Sequence, residues 1–247
     1  LSEATWGDGT RLQFNYDAQG QISGYTNRRG DATVYDYDAD GKLIARAETD
    51  GQTVYTYDSL GRMVSATSAA DTPTASTTRI GYDSANRVTH IEYPDGRSLD
   101  YAYDAGGRRT AMTDQDGNVQ SYSYDAAGRL ASVAYNGSQV AAYSYDGDSR
   151  LTEEHNGNGT TTTYSYDARG HLAAIVNLAA DGSESSAYRY SYDAAGQRVG
   201  MQTPHGSWDY GYDAAGQLTS GRFNVNAAGS AAGLSDKTLA YAYDAAG

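Results

Sequence analysis

The chain has 247 residues and a formal charge of −13, with no Cys and only two Lys, Lys42 and Lys237. Without Cys there is no disulfide framework and no thiolate metal site. No apolar run nears the roughly 18 residues of a membrane span, Leu1 opens no signal-peptide pattern, and the acidic balance argues against binding a nucleic-acid backbone.

Leu, Ile, Val and Phe total only 29 residues. That is about 12% of the chain, below the roughly 20% at which a charged chain is suspected of disorder. The charge per residue is nevertheless too small to hold a chain open. Twenty-four Tyr and 29 Gly fill the gap. A buried Tyr removes as much area as any large apolar side chain, provided its hydroxyl finds a partner. The expected core is therefore a tyrosine core.

An internal repeat organises the whole sequence. Tyr-Asp recurs at eleven periodic positions, with successive spacings of 21, 20, 25, 21, 21, 21, 21, 26, 20 and 31 residues; Tyr35-Asp36 is an extra copy out of phase. In chain order the motif reads Tyr16-Asp17 with Gly20, Tyr37-Asp38 with Gly41, Tyr57-Asp58 with Gly61, and Tyr82-Asp83 with Asn86 in place of Gly. It continues as Tyr103-Asp104 with Gly107, Tyr124-Asp125 with Gly128, Tyr145-Asp146 with Ser149 in place of Gly, and Tyr166-Asp167 with Gly170. The last copies are Tyr192-Asp193 with Gly196, Tyr212-Asp213 with Gly216, and Tyr243-Asp244 with Gly247. Arg follows in five copies, as Arg62, Arg87, Arg108, Arg129 and Arg150, and an apolar residue usually comes next; Arg109 and Arg198 depart from that rule. Three insertions fall at Ser68–Thr77, around Asn177–Ser186 and at Phe223–Ser235.

A second punctuation lies near the middle of each unit, at Gly9, Gly30, Gly51, Gly96, Gly117, Gly137, Gly159, Gly182 and Gly206. Two turns per unit, about ten residues apart, are the rhythm of short strands joined by hairpins. Tyr35-Asp36-Tyr37, Tyr55-Thr56-Tyr57, Tyr101-Ala102-Tyr103, Tyr122-Ser123-Tyr124 and Tyr164-Ser165-Tyr166 place two aromatics on one face of a strand. The fold class is all-β: repeated antiparallel β-hairpins, about 22 strands, in a long curled or spiralling sheet, because open sheets of more than about 10 strands curl or split. No helix is expected. The domain reading is one array of eleven repeats over residues 1–247, with no separate catalytic domain.

The turn has a mechanism. In Asp-x-x-Gly the carboxylate accepts N–H bonds from the next two residues, and Gly takes the left-handed conformation that closes a type I turn with a bulge. Asn86 suits that conformation; Ser149 does not, and its unit is expected to turn on Gly147 instead. The Arg after the turn pairs with its own Asp, as Arg129 with Asp125. An isolated pair is preferred here over a ladder of stacked pairs.

Enzyme chemistry finds no footing. His90, His155, His171 and His205 fall at unrelated phases of the repeat, without a partner at metal-ligand spacing. No Gly-x-Ser-x-Gly elbow occurs. Asp36-Tyr37-Asp38-Ala39-Asp40-Gly41 opens like a calcium loop, but Ala47 stands where the bidentate Glu belongs. Asn136-Gly137-Ser138 and Asn158-Gly159-Thr160 match the glycosylation pattern and are better read as hairpin turns. No catalytic residue, cofactor or metal is assigned.

Tyr124-Asp125-Ala126-Ala127-Gly128-Arg129-Leu130, repeated at a period near 21, resembles the Rhs/YD-repeat proteins. That family includes bacterial polymorphic toxins, insecticidal toxin-complex shells, wall-associated proteins and the teneurin adhesion receptors. The resemblance covers essentially the whole chain. It implies a β-hairpin ribbon forming part of a hollow shell, which in the toxins encloses a C-terminal toxin polypeptide. No Asp-Pro-x-Gly self-cleavage element is present; the prolines are Pro73, Pro94 and Pro204. The chain is thus expected to be a window from a longer array, its partners further repeats and an enclosed polypeptide, its location secreted or at the bacterial cell surface. The excess of Arg over Lys leans toward the bacterial branches. The alternative is a cell-surface adhesion module whose tyrosines bind a glycan or a surface protein.

Overall fold

The structure, a computed structural model, describes residues 2–70 and 72–243. Asp244 and Gly247 of the last motif lie outside the described residues. The chain divides into two compact units, residues 1–120 and 121–247.

In the first unit the strands are β1 (Glu3–Thr5), β2 (Arg11–Tyr16), β3 (Ile22–Thr26), β4 (Ala32–Tyr37), β5 (Leu43–Glu48) and β6 (Gly51–Tyr57). They continue as β7 (Met63–Ser68), β8 (Ser76–Tyr82), β9 (Val88–Glu92), β10 (Ser98–Tyr103) and β11 (Arg109–Asp114), and β12 (Val119–Tyr124) follows. The second unit holds β13 (Leu130–Tyr135), β14 (Ser138–Tyr145), β15 (Leu151–Asn156), β16 (Thr161–Tyr166) and β17 (Leu172–Leu178). Then come β18 (Glu184–Tyr192), β19 (Arg198–Thr203), β20 (Gly206–Tyr212), β21 (Leu218–Val225), a short helix α1 (Ala227–Ala231) and β22 (Lys237–Ala240).

Every even-numbered strand from β2 to β20 ends on a motif Tyr, and the strand after it starts two residues past the turn Gly, Asn or Ser. Aromatic Tyr favours the strand, while the Asp that follows turns the backbone out of it. In each unit, neighbours in sequence are neighbours in the sheet, and every pairing is antiparallel.

The turn geometry repeats. Gly20, Gly41, Gly61, Gly107, Gly128, Gly170, Gly196 and Gly216 all have φ between 78° and 88°. Asn86 takes φ 63° and Ser149 takes φ 65°. The expectation for Ser149 is therefore corrected: its N–H donates to Asp146 O at 3.1 Å and Asp146 N–H to Arg150 O at 3.0 Å, as in every other copy among the described residues. Ser149 is drawn into this conformation by the surrounding hairpin, and its hydroxyl accepts from Arg129 Nη1 at 3.2 Å. The carboxylate reading also needs correction. Asp125 Oδ1 accepts from the N–H of Ala127 and of Arg129, both at 2.9 Å, so the second and fourth residues are held. The chain must reverse before a second donor can point back at the oxygen.

Next to nine of the motif turns sits a second irregularity. The register slips at the motif Tyr, between Asp36 and Tyr37 and between Ser144 and Tyr145 for example, so that Tyr37 faces Leu43 and Tyr145 faces Leu151. A bulge here bends and twists the strand. Of the mid-repeat turns, Asn136-Gly137 has both residues left-handed, at φ 48° and 79°, which is the type I′ arrangement. Asn158 instead accepts from Thr160 N–H at 3.0 Å within a longer turn.

The absence of helix is corrected by α1, in the third insertion. Asn226 caps it by accepting from Gly229 N–H at 2.8 Å, a side-chain cap of ordinary type. Among the described residues no helix is long and apolar enough to cross a membrane.

The tyrosine core is corrected as well. Among the described residues the buried apolar side chains are Ala45, Ala141, Ala187 and Phe223, and no large side chain is fully buried. The paired tyrosines are half-buried and the residues between them, such as Ala102, Ser123 and Ser165, are exposed. Tyrosine thus packs along the sheet instead of forming an enclosed interior. The nearest approach to a core is in the second unit, where Trp208 lies 5.2 Å from Phe223 and stacks on Tyr210 at 6.0 Å.

Because Ser149 holds a conformation that costs an ordinary residue roughly 1 kcal/mol, Ser149→Gly should raise stability by up to about that amount. Gly128→Ala should lower it by about 1 to 2 kcal/mol. Urea unfolding of the two variants measures both signs.

Candidate functional site

Within each unit the repeating chemistry lies at the motif-turn ends of the hairpins. It begins inside each turn. The Asp carboxylate uses Oδ1 for the backbone and Oδ2 for the cation that follows. Arg62, Arg87, Arg108 and Arg129 each donate from Nε to the Oδ2 of Asp58, Asp83, Asp104 and Asp125 at 2.7 Å, and Arg150 to that of Asp146 at 2.8 Å. These side chains remain partly exposed, between 22% and 40%, so the pairs alone add little.

What sets them apart is where the rest of the guanidinium goes. Arg62 Nη1 donates to Asp83 O at 2.9 Å and to Asn86 Oδ1 at 2.8 Å, both in the next motif turn. Arg87 Nη1 reaches Asp104 O, and Arg129 Nη1 reaches Asp146 O, each at 3.0 Å. The same guanidiniums lie over the next motif Tyr, Arg62 over Tyr82 and Arg87 over Tyr103 at 4.7 Å and Arg129 over Tyr145 at 4.6 Å; Arg150 lies over Tyr166 at 4.7 Å and keeps its bonds within its own turn. One planar cation thus ties its own Asp, the following turn and the following Tyr. The preference for isolated pairs is corrected: a ladder exists, and its rungs run from guanidinium to backbone carbonyl.

Tyrosine closes the other half of the joint. The hydroxyls of nine motif tyrosines donate back to the first strand residue after the preceding turn. Tyr37 reaches Ile22 O at 2.8 Å, Tyr57 Leu43 O at 2.7 Å, Tyr82 Met63 O at 2.8 Å and Tyr103 Val88 O at 2.7 Å. Tyr145 reaches Leu130 O at 2.9 Å, Tyr166 Leu151 O at 2.9 Å and Tyr192 Leu172 O at 3.0 Å, while Tyr212 reaches Arg198 O and Tyr243 Leu218 O at 2.9 Å. These carbonyls need a partner, because adjacent repeats lose backbone pairing just there. Between β7 and β8 the pairing nearest the turns is Ser65 with Arg79, and between β9 and β10 it is His90 with Asp100. The bulge and the wide turn splay the strand ends, and the tyrosine hydroxyl spans the opening.

At three of the turns without Arg, those with Gln21, His171 and Gln197, the joint is kept by other means. Gln21 Nε2 donates to Gly41 O at 3.0 Å, and Gln197 Nε2 to Gly216 O at 3.1 Å. His171 pairs with Asp167 at 2.9 Å and stacks on Tyr192 at 4.8 Å, while Arg169 donates to Ala194 O at 2.8 Å.

The candidates for other chemistry are dispersed. Asp38 Oδ1 accepts from Asp40 N–H at 3.0 Å and Lys42 N–H at 2.9 Å, so the calcium-like stretch is one more copy of the turn. His90 pairs with Asp100 at 2.7 Å and His155 meets Thr161 at 2.7 Å, in separate units.

The carboxyls of Asp58, Asp83, Asp104, Asp125 and Asp146 are held below the ordinary carboxylate range, first by the backbone N–H of the following Arg and then by its guanidinium. Asp167 is lowered chiefly by the His171 ring. A carboxyl depressed in the folded state adds stability above its unfolded value and loses it as pH falls through the folded one. Stability attributable to these turns should therefore be steady down to about pH 4 and decline steadily below it, a course that thermal melts at stepped pH would trace. Tyr145→Phe, which removes one hydroxyl rung, should cost about 1 kcal/mol in urea unfolding.

Comparison with known proteins follows the same geometry. The Rhs repeat family model matches residues 16–51, 37–73 and 82–119, and the Teneurin YD-shell model matches residues 103–208. No curated protein matches the chain. Among solved structures, the crystal structure of TcdB2-TccC3-TEV is similar with TM-score 0.67 at 18% identity, over 87% of this chain and 13% of that one. The crystal structure of TcdB2-TccC3 is similar with TM-score 0.54 at 16% identity, over 98% of this chain and 18% of the other. The Photorhabdus luminescens Tc holotoxin pore carrying the TccC3 mutation D651A has TM-score 0.50 at 16% identity, over 90% and 16%. The chain thus spans less than a fifth of each of these three solved chains. With the repeat, the turn and both halves of the joint in place, this chain belongs to the Rhs/YD-repeat family.

Proposed function

We propose that this chain is a stretch of wall in a larger shell that encloses a toxin, or another polypeptide C-terminal to the array, until delivery. The observation that carries the reading is the ladder. Its Tyr, Asp and Arg groups are occupied in joining one hairpin to the next, which gives them a structural role. A wall needs such joints, since its strands must hold to both neighbours with little help from a buried core. The motif residues from Tyr16 and Asp17 onward, including the turn glycines, act in this reading as wall fasteners. The similarity to TcdB2-TccC3 structures supports it, because one of those neighbours is a Tc holotoxin. Its partners would be further repeats of the same protein and the enclosed chain, in a secreted or surface-delivered bacterial particle.

The test uses the full-length protein that contains this array. Limited proteolysis should leave the polypeptide following the repeats intact in the native particle, and cut it once paired Arg129→Met and Tyr145→Phe changes loosen the wall. Equal cleavage before and after would overturn the proposal. Specific retention of an oligosaccharide on a glycan array would favour the adhesion reading instead.

A further inference from the structure

Within residues 1–120 the ladder changes strength from joint to joint. Gln21 ties the first turn to the second through Gly41 O at 3.0 Å. Arg62 ties the third to the fourth with two bonds, at 2.9 and 2.8 Å, and Arg87 ties the fourth to the fifth at 3.0 Å. The second-to-third joint falls to Lys42. Its Nζ lies 3.8 Å from Asp40 Oδ2 and 5.9 Å from the Tyr57 ring centre, and among the described residues it makes no bond to the Asp58–Arg62 turn. An ammonium is a point charge on a flexible stem and lacks the planar fork that lets one guanidinium serve two turns.

The backbone does not compensate. Between β5 and β6 the pairing nearest the motif turns is Ala45 with Val54, which leaves Leu43 and Ile44 unpaired against Tyr55–Tyr57. Equivalent gaps lie between β3 and β4, beyond Gly24 with Val34, and between β7 and β8, beyond Ser65 with Arg79. At those two the gap is spanned both by a tyrosine hydroxyl and by a cross-turn bond. At Lys42 the Tyr57 hydroxyl, on Leu43 O at 2.7 Å, is the one hydrogen bond among the described residues that spans it, and Lys42 itself only packs against Gly61.

We infer that the boundary at Lys42 is a seam built into the array, where the turn-side ends of β5 and β6 part more readily than those of neighbouring repeats. Local opening of this kind follows the few bonds that must break for it, independent of global unfolding. The inference concerns the array itself and holds whatever the wall encloses.

Hydrogen exchange followed by mass spectrometry on the whole 247-residue chain tests it. Protection of the segment Leu43–Ala45 with Val54–Tyr57 should be about tenfold lower than that of Met63–Ser65 with Arg79–Tyr82, the worth of roughly one charge-assisted bond. Lys42→Arg should restore the missing rung and bring the two segments level, leaving the other boundaries unchanged. Arg62→Lys should create a second seam at Met63 and Tyr82. Equal protection in the unaltered chain, or a seam that Lys42→Arg leaves unchanged, would overturn the inference.

Discussion

Adjacent hairpins in this ribbon stop pairing through their backbones before they reach the motif turns, and the protein depends on how that gap is closed. The cause is local. A four-residue turn ending in a left-handed residue, followed at once by a bulge opposite the motif Tyr, widens each hairpin at that end. Neighbouring strands therefore splay, with carbonyls such as Met63 O and Leu130 O left without ladder partners. A tyrosine is the side chain long enough to lie along the strand and still place a hydroxyl on such a carbonyl. The guanidinium of the preceding turn then packs on that ring and bonds the next turn.

This arrangement explains the composition. A chain so poor in aliphatic residues cannot gain most of its stability from burial, and its side chains are mostly half-buried. Stability is instead distributed as nearest-neighbour terms, as in other repeat architectures. Each unit contributes one Asp that organises its own turn, one cation that grips the next, and one Tyr that reaches back. The acidic surplus is partly accounted for by the same logic, since an Asp in every turn is needed for backbone bonds whether or not an Arg follows. Turns with Gln21 or Gln197 keep the Asp and lose the ion pair without losing the joint.

The same economy bears on function. A sheet extended one hairpin at a time tolerates insertions at the mid-repeat turns, as in the longer β17–β18 hairpin, because these sit away from the motif turns. Its faces are free of the demand to build a single packed interior. Such a ribbon suits the wall role proposed for it, and the solved structures it resembles in fold include long chains of which this stretch matches less than a fifth.

The sequence by itself determined the repeat, the strand periodicity, the hairpin rhythm and the turn chemistry, because each is written in residues at most a few positions apart. Tyr-Asp-x-x-Gly announces a strand end, an Asx-type turn and a left-handed residue within five positions. Tyr-x-Tyr announces two side chains on one face. The tertiary structure decided the rest. That Ser149 would take φ 65° depended on a hairpin pulling it there and on Arg129 from the turn before. That α1 would form depended on an Asn cap within an insertion lacking the repeat's pattern. The rungs between turns join residues well separated in the chain, 17 apart for Arg129 with Asp146 and 15 for Tyr145 with Leu130. Nothing local in the chain specifies them; they exist because the bulged hairpins splay at one end and bring one turn's cation against the next turn's carbonyl.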